Sequence, residues 1–324
     1  MPKSRSLEDT LAELHRLLVE PISETSIATL RHALGGKSSH AVATAAEVVG
    51  KAEIHVLAPD LVSAFDRFMS NPVKSDPGCR AKLEIAEALY RIGHDDERVF
   101  LRGIRHVQLE PVYGGRADTA AGLRGACAFG LVRIGYPEAI AEVAELLADP
   151  EATARGAAAQ ALAYGEEPSA TPLLRLKTLF GDDDPQVLTE CMSALLKIAP
   201  ATSLGFVARF LDAPQETKRE SAALALGGSR LREAFPLLRK WWERSVELDL
   251  RRTGLLAIAM LKHDEALEFL LSVVAESEGP AARDGLAALA LYRHDEALCE
   301  RVRRTVNGRT DIDLGETFRR KFAP

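Results

Sequence analysis

Residues 155–176 read RGAAAQALAYGEEPSATPLLRL: a basic residue, small and apolar residues on one helical face, a turn, then a second leucine-rich run. The same order recurs at 124–147 (RGACAFGLVRIGYPEAIAEVAELL), 219–241 (RESAALALGGSRLREAFPLLRKW) and 251–271 (RRTGLLAIAMLKHDEALEFLL). With the first residue of each copy as its anchor, small or apolar residues fall near +3, +4 and +7. A turn follows near +10 to +13 and a second apolar run starts near +15. Lys82, Arg124, Arg155, Leu188, Arg219, Arg251 and Ala282 are the anchors, so by subtraction the successive spacings are 42, 31, 33, 31, 32 and 31 residues. A single helical hairpin of this kind cannot bury its own apolar face, and stacking on its neighbours does. The expected fold is therefore all-α: a right-handed α-solenoid, or superhelix, of about eight stacked helical hairpins, with no β-sheet. Residues 1–40 are expected to be N-terminal capping helices, 41–306 the repeat array as one solenoid domain, and 307–324 a C-terminal cap or tail.

Composition is consistent with this. Of the 324 residues 47% are apolar and only 6% aromatic, as closely packed helices require. A formal net charge of −6 argues against duplex binding, which relies on clustered Lys and Arg. Cys79, Cys127, Cys191 and Cys299 are scattered with no CxxC pair, so neither a disulfide framework nor a zinc module is expected. Cys127 and Cys191 share the buried +3 slot and read as packed thiols in a reducing compartment. Glu8, Asp9, Glu13 and His15 interrupt the apolar run that a signal sequence needs, and no window suits a membrane span. A cytoplasmic protein is expected.

Recurrent caps set the phase of the helices. Ser6 with Asp9 suits the start of a first amphipathic helix over 6–19, and Pro21 ends it. A second helix is expected over roughly 25–34, and 41–69 resembles a degenerate first hairpin with Pro59 at a helix start. Asp76-Pro77, Asp149-Pro150 and Asp184-Pro185 each place an Asp cap before a Pro in the first turn.

The pattern Arg-x-x-Ala-Ala-x-x-Leu, best matched by Arg155 to Leu162 and nearly as well by Arg219 to Leu226, resembles the HEAT and HEAT-like repeats. The short type found in phycobilin-lyase-like proteins is the most similar subgroup. The resemblance covers roughly residues 80–306 and extends weakly back to about 26. It implies the solenoid fold but not one function, because this architecture serves adaptors, chaperones, lyases, a hydroxylase and a glycosylase. The repeat from Leu188 departs from it by lacking the basic anchor.

Three His-acid clusters invite a metal reading: His94-Asp95-Asp96, His263-Asp264-Glu265 and His294-Asp295-Glu296. Each His lies at anchor +12 and each final acid at +14, slots held by Tyr136 and Glu138 in another repeat. They therefore read as interhelical turns in which Asp caps the second helix and the acid sits in its first turn. Hydroxylase-like relatives carry adjacent His-Glu dipeptides, and this chain has none. No metal and no cofactor is expected. Trp241-Trp242 occupy slots held elsewhere by Leu146-Leu147 and Val273-Val274, which favours core packing over a stacking surface. Cys79 sits in a first helical turn where the dipole can favour a thiolate, but no catalytic dyad accompanies it.

The spacing of 42 marks an insertion around 108–121 (QLEPVYGGRADTAA), expected as a loop from Pro111 and Gly114-Gly115. Tyr113, Arg116 and Asp118 offer recognition chemistry on it, and insertions into repeats often carry binding. A spacer that alters the stacking angle is the other reading. Gly114-Gly115 lacks the Lys, the longer glycine spacing and the preceding strand of a phosphate loop. Basic residues on second helices (Arg102 and Arg105, Arg175 and Lys177, Arg209, then Arg239, Lys240 and Arg244) form a broken row interrupted by Glu142 and Glu145. The expected function is a non-catalytic scaffold that binds a protein or peptide through its concave face and the 108–121 loop. A phycobilin-lyase-like or other HEAT-repeat enzyme with a pocket in the groove, and a glycosylase-like nucleic-acid binder, are the alternatives.

Overall fold

The computed structural model describes residues 7–322. The Ser6 start assigned to the first helix, the basic N-terminal residues before it and the last two residues lie outside them. The described residues fall into two compact units that divide between Gly165 and Glu166.

In the first unit the helices are α1 (Leu7–Leu17), α2 (Glu24–Leu34), α3 (Ser39–Lys51), α4 (Ala58–Met69), the single turn α5 (Pro72–Ser75), α6 (Arg80–Arg91) and α7 (Glu97–Ile104). A hairpin of β1 (Leu109–Val112) and β2 (Gly115–Asp118) follows, then α8 (Ala121–Arg133), α9 (Ala139–Leu146) and α10 (Ala152–Gly165). The second unit comprises α11 (Thr171–Phe180), α12 (Pro185–Ile198), α13 (Pro200–Ala208), α14 (Glu216–Ser229) and α15 (Ala234–Arg244). It continues through α16 (Leu248–Met260), α17 (Asp264–Glu276), α18 (Gly279–Leu289), α19 (Glu296–Asn307) and α20 (Ile312–Phe322). The chain is an all-α solenoid of repeated hairpins with one correction: the expected absence of sheet fails at 109–118, where the insertion forms two short antiparallel strands.

Within each unit the first helices stack in one layer. α3 packs on α6, α6 on α8 and α8 on α10; in the second unit α12 packs on α14, α14 on α16, α16 on α18 and α18 on α20. The second helices α7, α9, α13, α15 and α17 each lie against their own first helix and the one that follows. The register is regular. Every +7 residue (Leu89, Leu131, Leu162, Leu195, Leu226, Ile258, Leu289) and every +4 residue is buried. Small residues permit this closeness: a side-chain carbon on Gly227 would lie 2.4 Å from the Ala257 carbonyl oxygen, so only glycine allows α14 to meet α16 there.

The expected caps form, with local differences. Asp184 accepts from the Gln186 amide at 2.8 Å and Asp149 from the Glu151 amide at 2.8 Å. Asp76 acts across a 3₁₀ turn, its carboxylate accepting from Ala81 N at 2.9 Å and Lys82 N at 3.0 Å at the start of α6. The three His-acid turns also cap second helices, though through different members of the triplet. Asp96 accepts from Arg98 N, Asp295 from Leu298 N, and in the middle cluster His263 itself accepts through Nδ1 from Ala266 N. The hydrogen bonds from Arg98 hold the Asp96 carboxyl at a pKa of about 2.

Trp241 and Trp242 are buried, as their slots imply. Trp242 packs edge-on against Phe269 and lies under the guanidinium of Arg251. Cys79, Cys127 and Cys191 are buried free thiols. The thiolate tendency assigned to Cys79 is absent, because burial pushes its pKa up to about 12 despite the neighbouring Lys82.

Candidate partner-binding hairpin

The basic anchors explain how the insertion is held. Lys82 Nζ meets Asp76 at 2.9 Å with both side chains fully buried. Arg124 Nη1 meets Asp118 at 2.7 Å, and Arg155 Nη1 donates to the carbonyl of Asp149 at 2.9 Å. Arg251 Nη1 donates to the carbonyl of Ser245 at 3.2 Å. Each of these anchors thus reaches six residues back, to the connection that precedes its own helix. Connections of this kind end a second helix, where unsatisfied carbonyls attract a cation. Where the anchor is apolar, another cation takes its place. Asp182, six residues before Leu188, pairs with Lys177 at 2.8 Å. The connection before Ala282 is held by Arg309, which donates to the carbonyls of Val274, Ala275 and Ser277. In the repeats from Lys82, Arg124, Arg155 and Arg251 the basic anchor is therefore a structural device that ties a connection to the helix after it, whereas Arg219 pairs forward with Glu247.

In the repeat from Arg124 the connection is the inserted hairpin. Arg124 is 3% exposed and forms a fork to Asp149 (Nε–Oδ2 2.7 Å, Nη2–Oδ1 2.8 Å) while Nη1 binds Asp118 and the His106 carbonyl. Asp118 also accepts from Gln108 N at 3.0 Å and Ala120 N at 2.9 Å. Across the hairpin, Glu110 accepts from Gly78 N at 2.7 Å, Gln108 Nε2 at 2.6 Å and Thr119 Oγ1 at 2.9 Å. Gln108 Nε2 in turn reaches the Asp76 carbonyl at 2.8 Å, and Thr119 N closes the ladder on the Gln108 carbonyl at 3.0 Å. Two carboxylates, one from each strand, thus clamp the base of the hairpin to the helices beneath.

Above that base the hairpin stands in solvent. Every residue from Pro111 to Ala117 is exposed, and Tyr113 is completely so. The turn is Tyr113-Gly114, with Gly114 at φ +86°, a conformation costly for a residue bearing a side chain. Leu109, Val112 and Val107 add exposed apolar surface beside the tyrosine.

The expected recognition residues therefore separate. Tyr113 and Arg116 are presented at the exposed end. Asp118 is not: its carboxylate is buried on Arg124 and serves the base. The basic row on the second helices is largely neutralised within the chain. Arg102 pairs with Asp66, Arg105 with Glu142, Arg239 with Glu243, and Arg244 with Asp212. Arg175 donates to the Thr202 carbonyl and, with Arg209, lies against Phe206. Lys240 is exposed on α15 with no ion pair among the described residues. The hairpin's brace had a trace in the sequence: Asp76, Asp118, Asp149 and Asp182 all stand six residues before an anchor.

Burial alone would raise the Asp118 carboxyl, but its two amide hydrogen bonds and the Arg124 guanidinium outweigh burial and hold it below the usual carboxylate range. Glu110 is lowered in the same way, with burial opposed by Gln108, Gly78 and Thr119. A carboxylate depressed in the folded state adds stability that is present above its unfolded value, about 3.9 for Asp, and lost as pH falls through the folded value. The melting temperature is therefore expected to drop as pH is lowered below about 4, and Asp118→Asn should flatten that part of the profile. If the Asp118→Asn variant kept a profile as steep as that of the parent, Asp118 would not be the titrating brace.

Among the described residues no group of three or more His, Cys, Asp or Glu is placed to hold a metal ion. No helix among them is long and apolar enough to cross a membrane.

A family model for HEAT repeats matches residues 115–195. No curated protein matches the sequence. Among solved structures, the chain is similar to the complex of CpcE and CpcF of phycocyanin lyase from Nostoc sp. PCC7120, with 18% identity, 80% of this chain and 94% of that chain covered, and a TM-score of 0.40. It is also similar to human deoxyhypusine hydroxylase in complex with glycerol, with 18% identity, 91% and 93% coverage and a TM-score of 0.31.

Proposed function

We propose that this HEAT-repeat chain is a non-catalytic scaffold that binds a protein or peptide partner through the 108–121 hairpin, aided by the face of its second helices. One observation carries the reading. A buried Arg124, bonded to Asp118, Asp149 and the His106 carbonyl, braces the base of a hairpin whose exposed end offers Tyr113 beside Val112 and Arg116. A rigid exposed aromatic loses little entropy on binding, and Tyr and Arg dominate interface energies. The cation row on the second helices contributes less, since most of its charges are already paired. Free, buried cysteines support a reducing, cytoplasmic setting.

Tyr113→Ser combined with Val112→Ser tests this. Both side chains are exposed, so stability should change by about 0.5 kcal/mol or less and the melting temperature should hardly move. Recovery of the partner by the tagged protein from native lysate should fall by about thirtyfold, the loss of a hot-spot residue. Equal recovery by parent and variant would remove the hairpin from the interface. Recovery of nucleic acid alone would remove the scaffold reading.

A further inference from the structure

A second surface, far along the chain from the hairpin, carries its own chemistry. α16, α18 and α20 enclose a groove of about 480 Å³. Arg252 enters from α16, Arg283 from α18, and Arg320 and Lys321 from α20, against a single carboxylate, Asp284, in the lining. That carboxylate is already engaged by Arg252 Nε at 3.1 Å. Arg283 reaches Asp313 only loosely, at 3.8 Å, and Arg320 and Lys321 form no ion pair among the described residues. Arg283, Arg320 and Lys321 thus face the groove from two helices, the last two without an ion pair among the described residues, with Asp313 and Glu316 at the adjoining rim. The lining also has an apolar part, Leu256, which is 36% exposed, with Ala287 and Ala288.

We infer that this groove is a docking site for an acidic peptide segment of a protein partner, one that alternates carboxylates with aliphatic side chains. Carboxylates would bind Arg283, Arg320 and Lys321, and an aliphatic group would cover Leu256. Charge complementarity selects the occupant. Nucleic acid fits worse, because the lining holds no aromatic ring on which a base could stack. The proposal does not depend on the hairpin.

Fluorescence anisotropy with a labelled octapeptide of alternating Glu and Leu tests it on the full chain. Saturable binding is expected at low salt, weakened about tenfold or more at high salt, where screening shortens to a few ångströms. Arg320→Glu with Lys321→Glu should weaken it at least as much, while Arg304→Glu, a charge reversal on α19, should not. A melting curve confirms that the variants are folded. Absence of saturable binding, equal weakening by Arg304→Glu, or tighter binding of oligothymidine of the same charge would overturn the proposal.

Discussion

Arg124→Met is expected to destabilise the first unit by about 3–5 kcal/mol, the usual cost of removing one partner from a buried ion pair. The methionine fits the volume but leaves Asp118 and Asp149 without their shared cation, both about nine-tenths buried. Neither can turn to water without giving up amide hydrogen bonds, those of Gln108 and Ala120 for Asp118 and that of Glu151 for Asp149. For a unit of this size the loss lowers the melting temperature by roughly 10 °C. Neutralising both acids as well, in the triple change with Asp118→Asn and Asp149→Asn, should recover part of it. A triple variant no more stable than Arg124→Met would show that the unpaired carboxylates are not the cause.

Leu226→Asp is expected to be harsher for the second unit. Leu226 lies on α14 with no exposed surface, in the +7 slot that contacts neighbouring first helices. Truncating a buried leucine costs about 2–5 kcal/mol, and a polar group with no partner adds roughly 1–3 kcal/mol. The sum rivals the whole stability of a typical domain. Far-UV helicity should fall and the region from Glu166 onward should become sensitive to trypsin. A melting curve matching that of the parent would mean that the repeat register is wrong.

The register was readable because burial follows period. Slots +4 and +7 are buried in every copy, from Ala86 and Leu89 to Leu286 and Leu289. Trp241 and Trp242 could be placed inside for the same reason: their slots hold aliphatic residues in other copies. Caps were readable as positions but not as atoms. His263 takes the role that Asp295 and Asp96 take in their turns, since any acceptor at a helix start satisfies the same kind of free amide.

The hairpin shows where period stops helping. The spacing of 42 exposed the insertion, and Gly114-Gly115 exposed its turn. Four-residue strands have too little local preference to declare themselves. Side-chain contacts brace them: Glu110 is bound to Gly78, 32 residues back, and Asp118 to Arg124 in the next helix. Asp118 looked like a recognition residue because its neighbours Tyr113 and Arg116 do. Its partner lies six residues further on, in the slot that binds the preceding connection in the repeats from Lys82, Arg155 and Arg251. Leu188 looked like a missing rung, but Lys177 supplies the charge from the preceding helix.

Amide hydrogen exchange at Gly78 and across residues 106–120 tests most directly the claim that a buried guanidinium holds an exposed hairpin rigid. The account predicts slow exchange at Gly78, Thr119 and Ala120, whose amides bind Glu110, Gln108 and Asp118, and fast exchange only near Tyr113 and Gly114. In Arg124→Met that protection should vanish. Exchange at unfolded rates throughout 106–120 in the parent protein, or protection unchanged in Arg124→Met, would contradict it.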